Sequence, residues 1–325
     1  MKPFGYERAA DAEGALATMA RPGTEYLAGG TNLVDLMKLG VATPEVLVDL
    51  GGLPYRDIEE PPGGGLYIGA LVSNTDLAVH PAVEAAYPAV SQAVLAGASG
   101  QLRNRATVAG NLLQRTRCRY FQDLTKACAK RVPGTGCAAR DGEHHDLAIL
   151  GASPQCIATN PSDLAVALSI MDASVQYLGP HGPAAISVHD FFRRPGDRPD
   201  RDTNLPHGAL ITAVALPELP IAAASRYRKV RDRASFAFAA GSVAAALDVR
   251  DGVVHDVRLA WGAVAHLPWR CWAAERALRG APATAESYAR AAEAELAGAR
   301  PLRDNAYKVP LLRNLTVEVL LEMTP

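Results

Sequence analysis

Four of the five cysteines lie close together in the sequence, at Cys118, Cys128, Cys137 and Cys156. Such clustering has three chemical explanations: two disulfides, a tetrahedral zinc site, or an iron–sulfur cluster held by four thiolates. Each of these would tie a long loop to one point, and would therefore constrain how residues 118–156 can fold. The choice between them also decides most of what the chain does.

The N-terminal segment bears on the disulfide alternative. Secreted chains that keep disulfides carry a signal peptide, whereas the first residues here include Asp11 and Glu13 and form no apolar core. No run of about 18 uncharged apolar residues follows, so we expect no membrane span. We therefore expect reduced cysteines and a cytoplasmic chain, or a periplasmic one if a partner subunit carries the export signal.

Spacing and local charge bear on zinc and iron. Structural zinc sites draw their cysteines from tight knuckles, but the gaps here are nine, eight and eighteen residues. Long gaps suit a loop wrapped around a bulkier cluster, and a positive environment offsets the negative charge of an iron–sulfur core. Residues 115–146 hold seven lysines and arginines against four acidic residues, seven minus four, or +3. Zinc stays open on these observations alone.

Composition describes an ordinary globular chain. Its 325 residues suit two or three domains, with 49% hydrophobic and 21% charged residues and a net charge of −1. A charge so near zero favours neither nucleic acid nor an anionic membrane as a partner. We expect three sections: 1–57, 58–217 with an insertion at 114–160, and 218–325.

Hydrophobic periodicity predicts a mixture of helices and strands. The predicted helices are Asp11–Met19, Leu33–Leu39, Pro81–Ala96, Leu164–Met171, Ala285–Leu296 and Val309–Leu321. The predicted strands are Glu25–Ala28, Val46–Leu50, Leu66–Gly69, Ser174–Leu178, Ala209–Leu216, Phe236–Val249 and Val253–Ala263. The last two meet at an Asp251-Gly252 hairpin turn. Pro180–Asp202 is interpreted as a surface loop, Cys271 as a buried apolar residue and His144-His145 as a hydrated pair.

Three short segments have the composition of turns that bind phosphates or flat cofactors. Ala28-Gly29-Gly30-Thr31-Asn32 follows a predicted strand and precedes a helix, so its backbone N–H groups could approach an anion. The second is Thr107–Asn111 and the third is Pro161-Ser162-Asp163. An ordinary tight turn or helix cap remains the alternative for each. None matches Gly-x-Gly-x-x-Gly, which argues against a Rossmann nicotinamide site.

In their order along the chain, these segments resemble the FAD-binding subunits of the xanthine dehydrogenase family of molybdenum hydroxylases. The resemblance runs from about residue 4 to the C-terminus, and rests on Leu27–Leu33, Ile68-Gly69-Ala70, Arg103–Leu112, Pro161–Leu164 and Lys229. Most such subunits pass almost directly from the second turn to the third. Residues 114–160 instead resemble the insertion of a subgroup, bacterial periplasmic aldehyde oxidoreductases, that carries an additional [4Fe–4S] cluster.

The resemblance implies a fold and a set of site residues. The fold is α+β: an FAD-binding fold of the PCMH type with two α/β subdomains, then a C-terminal antiparallel sheet with helices. The residues implied to bind FAD are Tyr26, Leu27, Ala28, Gly29, Gly30, Thr31, Asn32, Leu33, Val34, Thr107, Gly110, Asn111, Asp163, Ile211 and Lys229. The implied cluster ligands are Cys118, Cys128, Cys137 and Cys156. Lys229 is implied to lie near the flavin, where its charge stabilises the reduced ring.

The resemblance also implies a role in electron transfer, with no acid–base or nucleophilic residue in this chain. A molybdenum-cofactor large subunit would oxidise an aldehyde, with aromatic aldehydes preferred. A [2Fe–2S] small subunit would pass the electrons on, and FAD would deliver them to an external acceptor. A 4-hydroxybenzoyl-CoA reductase-like or xanthine dehydrogenase-like subunit is an alternative. A stand-alone FAD reductase and a zinc-stapled interaction protein are rivals from other classes.

Overall fold

The computed structural model describes all 325 residues, and its first sheet has three parallel strands in the order β1-β3-β2. The strands are β1 (Gly5–Arg8), β2 (Thr24–Leu27) and β3 (Val46–Asp49), and the connecting helices are α1 (Ala12–Met19) and α2 (Leu33–Lys38). The Asp11 side chain caps α1 by accepting a hydrogen bond from the Gly14 amide. The sequence did not indicate β1, because all four of its residues are exposed and show no apolar alternation.

A second sheet has five antiparallel strands in the order β4-β5-β8-β6-β7. Its strands are β4 (Ile58–Glu59), β5 (Leu66–Gly69), β6 (Ser174–Gly179), β7 (Gly182–Ser187) and β8 (Leu210–Leu216). The helices of this part are α3 (Asn74–Ala78), α4 (Pro81–Ala86), α5 (Pro88–Ala96), α6 (Gly100–Arg103), α7 (Val108–Leu112), α8 (Arg119–Gln122), α9 (Asp163–Ile170) and α10 (Val188–Phe191). The insertion 114–160 is otherwise irregular apart from one 3-10 turn at Ala138–Asp141.

The third sheet is antiparallel, in the order β12-β11-β10-β9. Its strands are β9 (Ser225–Val230), β10 (Gly241–Arg250), β11 (Val253–Gly262) and β12 (Trp269–Arg270), followed by α11 (Trp272–Leu278), α12 (Ala285–Leu296) and α13 (Lys308–Met323). The turn between β10 and β11 has φ angles of 52° at Asp251 and 74° at Gly252, as a two-residue hairpin of the mirror-image type requires. The predicted hairpin is confirmed.

Two predicted elements were wrong in extent. The single helix Pro81–Ala96 is two helices, because Tyr87 adopts φ −137° and ψ 54° before Pro88, where the proline ring disfavours a helical conformation. The loop predicted at Pro180–Asp202 contains β7 and α10. Strand β7 pairs only with β6 and lies at the sheet edge, where Pro183 costs no hydrogen bond in the sheet.

The charged run around Lys229 is strand β9, which was not among the predicted strands. Its side chains alternate: Ser225 and Tyr227 are buried, while Arg226 and Arg228 form ion pairs with Glu322 of α13. Strand β10 begins at Gly241 and not at Phe236 as predicted, so residues 231–240 form a loop between β9 and β10. The error arose because the charges concealed the period-two pattern of β9.

The second and third sheets share a hydrophobic core. Helix α9 is buried from Leu164 to Ile170 and packs against β10 and β11, and the largest core cluster includes Tyr227, Ala244 and Ala260 from the third sheet. The predicted α+β class is confirmed, whereas the predicted limits 1–57, 58–217 and 218–325 stay a prediction about domains. None of the helices combines the length and the apolar character needed to span a bilayer.

Candidate cofactor site

A central cavity of about 660 Å³ lies where the three sheets and the insertion approach one another. Six of the residues predicted to bind FAD line its wall: Thr31, Asn32, Gly110, Asn111, Asp163 and Lys229. They come from all three predicted sections of the chain. Cys118, the first cysteine of the insertion, lines the same wall.

The glycine turn after β2 packs directly on the chain that precedes α7. A Cβ atom at Gly29 would lie 2.2 Å from the carbonyl oxygen of Arg105, and Gly30 has φ +76°, so neither position accommodates a side chain without strain. The Thr107 hydroxyl caps α7 by accepting a hydrogen bond from the Gly110 amide at 3.2 Å. The contact brings the first two predicted turns together on the cavity wall.

Asn32 joins the first turn to the insertion and still has a free donor. Its Oδ1 accepts a hydrogen bond from the Arg115 amide at 2.9 Å, while its Nδ2 is buried and has no hydrogen-bond partner. A buried amide nitrogen without a partner is energetically costly. Because Asn32 lines the cavity, a bound cofactor with acceptor oxygens would satisfy it, and these residues therefore fit FAD.

Asp163 and Lys229 form a buried ion pair on the cavity wall. Lys229 Nζ lies 2.8 Å from Asp163 Oδ2, and the side chains are 3% and 10% exposed. The Tyr227 hydroxyl donates to Asp163 Oδ1 at 2.5 Å, and burial, reinforced by this carboxylate, raises the pKa of Tyr227 well above its usual value. The Lys229 charge is thus paired with a carboxylate, which the sequence alone did not indicate.

The third predicted turn begins helix α9. Ser162 Oγ accepts a hydrogen bond from the Ala165 amide at 3.0 Å and donates to Asn111 Oδ1 at 2.7 Å. Ser162 therefore caps helix α9, as the helix-cap alternative for this turn predicted. The same hydroxyl also links the second and third turns. Both turns face the cavity.

The remaining residues predicted to bind FAD are not among those that line the cavity. They are Tyr26, Leu27, Ala28, Gly29, Gly30, Leu33, Val34, Thr107 and Ile211. The Tyr26 hydroxyl donates to the carbonyl of Gly208 at 2.9 Å, and burial raises its pKa to about 12. Ile211 lies in β8 within the core. Direct cofactor contacts of these residues stay predictions.

The structure adds wall residues that the sequence did not single out. Asp35 follows Asn32 by one helical turn, Arg117 precedes the first cysteine, and Phe236 and Phe238 project from the β9–β10 loop. Asp35 could have been found from helical spacing, since positions i and i+3 share a face. The two phenylalanines were assigned to a strand, so their position on the cavity wall was missed.

The four cysteines of the insertion converge into a second site, here called the cysteine pocket. Cys118, Cys128 and Cys156 are buried in one apolar cluster, and the half-buried Cys137 packs against it. Cys128 and Cys137 face each other in an isolated β-bridge. All four are free thiols.

Charge and burial define the environment of the cysteine pocket. Burial raises the pKa of the Cys156 thiol to about 12, with Lys130 opposing that rise, and it also raises the pKa of Cys118. Lys130 is 2% exposed and pairs with Asp202, which also pairs with Arg115. A buried lysine and a half-buried arginine therefore share one carboxylate beside the pocket.

The histidine pair of the insertion was predicted to be hydrated, and this was wrong for His144. Its side chain is buried, with Nδ1 at 3.0 Å from Asp304 and Nε2 at 2.9 Å from the Arg140 carbonyl. Contacts with the segment before α13 account for its burial, and such long-range contacts are invisible in local sequence. His145 is exposed as predicted, and Cys271 is fully buried as predicted.

Two family models match almost the whole chain. A model for the FAD binding domain in molybdopterin dehydrogenase matches residues 2–219, and one for the CO dehydrogenase flavoprotein C-terminal domain matches residues 225–323. The aldehyde oxidoreductase FAD-binding subunit PaoB of Escherichia coli (strain K12) is 49% identical over 325 residues, covering 99% of this chain and 98% of that one. The chain belongs to the FAD-binding subunits of the molybdenum hydroxylases.

One further sequence relative and two solved structures of the same fold are also similar to this chain. The glyceraldehyde dehydrogenase medium chain of Sulfolobus acidocaldarius is 26% identical and covers 84% of this chain and 80% of its own length. Quinoline 2-oxidoreductase from Pseudomonas putida 86 superposes with a TM-score of 0.76 at 22% identity, covering 99% of this chain and 98% of that chain. Carbon monoxide dehydrogenase from Hydrogenophaga pseudoflava gives 0.76 at 24% identity, with coverages of 99% and 98%.

Family membership confirms the predicted resemblance and the FAD cofactor. As an FAD-binding subunit of a molybdenum hydroxylase, the chain is the medium subunit of an oxidoreductase complex with large and small partner subunits. The substrate is oxidised on a partner subunit. The cavity lined by Asn32, Asn111, Asp163 and Lys229 is the candidate FAD site.

Proposed function

We propose that this chain is the FAD- and [4Fe–4S]-containing electron-transfer subunit of a heterotrimeric, molybdenum-dependent aldehyde oxidoreductase. A large subunit with molybdenum cofactor oxidises the aldehyde to a carboxylic acid, a [2Fe–2S] small subunit relays the electrons, and this subunit delivers them to an external acceptor. The observation that carries the proposal is a single wall that holds predicted FAD residues together with Cys118. The aldehyde, and the preference for aromatic ones, rests on the similarity to PaoB and on the resemblance of the insertion.

Bound FAD supplies the ability to take up electrons singly or in pairs and to pass them on. The chain's own residues bind it and set its surroundings. Asn32 offers an unpaired amide donor. The lack of a side chain at Gly29 lets this turn pack closely on the backbone at Arg105. The buried Lys229–Asp163 pair places a neutral ion pair beside the cofactor, so uptake of negative charge meets a fixed dipole rather than a free cation.

The spacing of the four cysteines favours a cluster over a single ion. Structural zinc sites draw their cysteines from tight knuckles, whereas the gaps here are nine, eight and eighteen residues. All four cysteines are free thiols in one apolar site. Four thiolates around a cuboidal iron–sulfur core are spread more widely than around one ion, which is why we propose [4Fe–4S].

The proposed cluster is a neighbour of the proposed flavin site. Cys118 belongs both to the cysteine pocket and to the cavity wall, so one ligand of the cluster would face the cofactor. Electron transfer between adjacent centres needs no further mediator. We therefore propose that the cluster exchanges electrons with the flavin as well as anchoring the insertion.

Cofactor analysis of anaerobically purified protein tests the proposal. The chain is co-expressed with its partner subunits, and flavin, iron, acid-labile sulfide, zinc and molybdenum are measured. We expect FAD together with about four irons and four sulfides for this subunit, in addition to iron from the small subunit. Zinc without iron in the isolated chain, or protein without flavin, contradicts the proposal.

Alanine variants assign the cluster to its ligands. Cys118→Ala should lose about four irons and their sulfide per complex, because three thiolates hold the core poorly. Cys271→Ala is the matched control, since Cys271 is buried but far from the insertion in sequence and belongs to a different core cluster. Equal iron content in the two variants would contradict the assignment.

A further inference from the structure

Arg117 is a cationic wall residue for which the structure supplies no partner. It lines the central cavity one position before Cys118, and its Nε is buried without a hydrogen-bond partner. Its guanidinium lies over the Phe238 ring at 5.0 Å, which contacts one face of the group and leaves its edge of N–H donors free.

The other four arginines of the insertion all have polar partners. Arg115 pairs with Asp202, Arg119 with Glu143, Arg131 donates to three backbone carbonyls, and Arg140 donates to the Ser153 carbonyl. Arg117 forms neither a hydrogen bond nor an ion pair, although it is half-buried. Two nitrogens of Arg115 also lack a hydrogen bond, but Arg115 has an ion pair, so Arg117 alone among these five arginines has neither kind of partner.

An unpartnered, half-buried guanidinium is costly unless an anion arrives to meet it. Asp35 lines the same cavity, one helical turn after Asn32. A cation at this point would also screen that carboxylate from an anionic ligand held near the Gly29-Gly30 turn.

We propose that Arg117 binds the diphosphate of FAD, a role that rests on the proposed placement of FAD in this cavity. The planar fork of a guanidinium matches two phosphate oxygens, and Arg117 shares the wall with Thr31 and Asn32 of the first turn. The Phe238 ring holds the guanidinium plane in place. The insertion thus contributes a cofactor-binding residue in addition to its cysteines.

Flavin affinity tests this role in the assembled complex. The complex is stripped of flavin and titrated with FAD, using Arg117→Met, Arg117→Lys and, as the matched control, Arg140→Met. Arg140 is exposed and lies outside the cavity wall. We expect the dissociation constant to rise by about 10- to 100-fold for Arg117→Met, and less for Arg117→Lys, which keeps the charge but loses the fork.

Phosphorus NMR and redox titration of the FAD-loaded complex identify the group that Arg117 contacts. The diphosphate resonances should shift in Arg117→Met and not in Arg140→Met, while the flavin midpoint potential stays unchanged. A changed potential with unchanged phosphorus resonances would show a contact with the ring and overturn the proposal, as would equal FAD affinities in the two variants. Loss of FAD binding by the unmodified complex would instead overturn the proposed function.

Discussion

At the scale of single residues, the Lys229–Asp163 pair decides the charge on one part of the cavity wall. Two side chains that are 66 residues apart meet at 2.8 Å with almost no solvent contact. Removing one partner of a buried pair leaves an uncompensated charge, which costs far more than the pair contributes as a whole. The two residues are therefore tolerated in the core only as a pair, and either one alone would destabilise the folded state.

We expect Lys229→Met to lower the free energy of unfolding by about 3–5 kcal/mol, because it strands the Asp163 carboxylate in the core. The double variant Lys229→Met/Asp163→Leu should recover part of that loss. Chemical denaturation measures both effects. Arg290→Met, which breaks an exposed pair with Glu286, serves as the control and should change stability by less than about 1 kcal/mol. Equal losses in Lys229→Met and Arg290→Met would refute this role.

Gly29 tests the close approach of the first two turns. Gly29→Ala places a Cβ 2.2 Å from the Arg105 carbonyl oxygen, so the backbones must separate. We expect a loss of about 1–3 kcal/mol in stability and a reduced FAD content, measured by thermal melting and by absorbance. Gly63→Ala is the control, since a Cβ there meets nothing within 4 Å. Identical melting and flavin content in the two variants would show that the turn tolerates a side chain.

Lys308 gives the protein a pH dependence at alkaline pH. It is fully buried, its Nζ donates to the Ala263 carbonyl at 2.6 Å, and burial lowers its pKa from 10.5 to about 8. Between these two values the unfolded chain binds more protons than the folded one, so stability rises with pH. The free-energy cost of burying the charged Lys308 side chain is fully present below pH 8 and disappears as the pH approaches 10.5.

Comparison with Lys308→Met isolates that contribution. Relative to the variant, the unmodified protein should gain up to about 3 kcal/mol between pH 8 and pH 10.5. Urea denaturation at several pH values measures the difference, and the lost bond to Ala263 adds only an offset that does not change with pH. Parallel stability curves for the two proteins would show that Lys308 does not titrate in this range.

At the scale of elements, the insertion is held by buried charge as well as by its cysteines. Lys130 donates to the Pro199 carbonyl at 2.8 Å and pairs with Asp202, which also pairs with Arg115. Asp202 lies in the segment between α10 and β8, so the insertion is attached to a part of the chain that is distant from it in the sequence. This attachment does not involve a metal, so it should order the insertion even when no metal is bound.

We expect Asp202→Asn to loosen the insertion selectively, because it leaves the buried Lys130 and the half-buried Arg115 without a carboxylate. Hydrogen exchange in residues 114–160 should accelerate, while exchange in β10 and β11 stays slow. Asp197→Asn is the control, since Asp197 is exposed in the same segment and the substitution is identical. Uniform acceleration across the chain would point to global destabilisation instead.

At the scale of the whole molecule, the candidate FAD site does not belong to one family domain. The model for the FAD binding domain ends at residue 219, but Lys229, Gly262 and Ala263 of the third sheet line the cavity, and the main core crosses into that sheet. The parts of the chain that form the second and third sheets are therefore expected to depend on each other for folding.

Truncation tests that dependence. A fragment of residues 1–217 should fail to bind FAD and should lack a cooperative thermal transition, because it exposes the core face that Tyr227, Ala244 and Ala260 cover. Circular dichroism and FAD titration measure both properties. A fragment that melts cooperatively and binds FAD as tightly as the full chain would show that the third sheet is dispensable.

The sequence by itself determined the local features of this protein. The Asp251-Gly252 hairpin, the helix α9 and the three turns follow from side-chain periodicity and backbone preference within a few residues, and the resemblance of those turns identified the family. The cysteine spacing marked residues 114–160 as a separate site. The edge strand β7 and the charged strand β9 escaped prediction because their pairing, and not their composition, makes them strands.

Only the tertiary structure decided which residues line the candidate cofactor cavity. Lys229 is paired with Asp163, Arg117 lies unpaired on the cavity wall, and Cys118 belongs to both sites. Each fact depends on contacts between segments far apart in the chain, whose geometry comes from packing three sheets around one core. Local physical preferences carry no information about such distances, so the sequence supplied the chemistry and the fold decided how it is arranged.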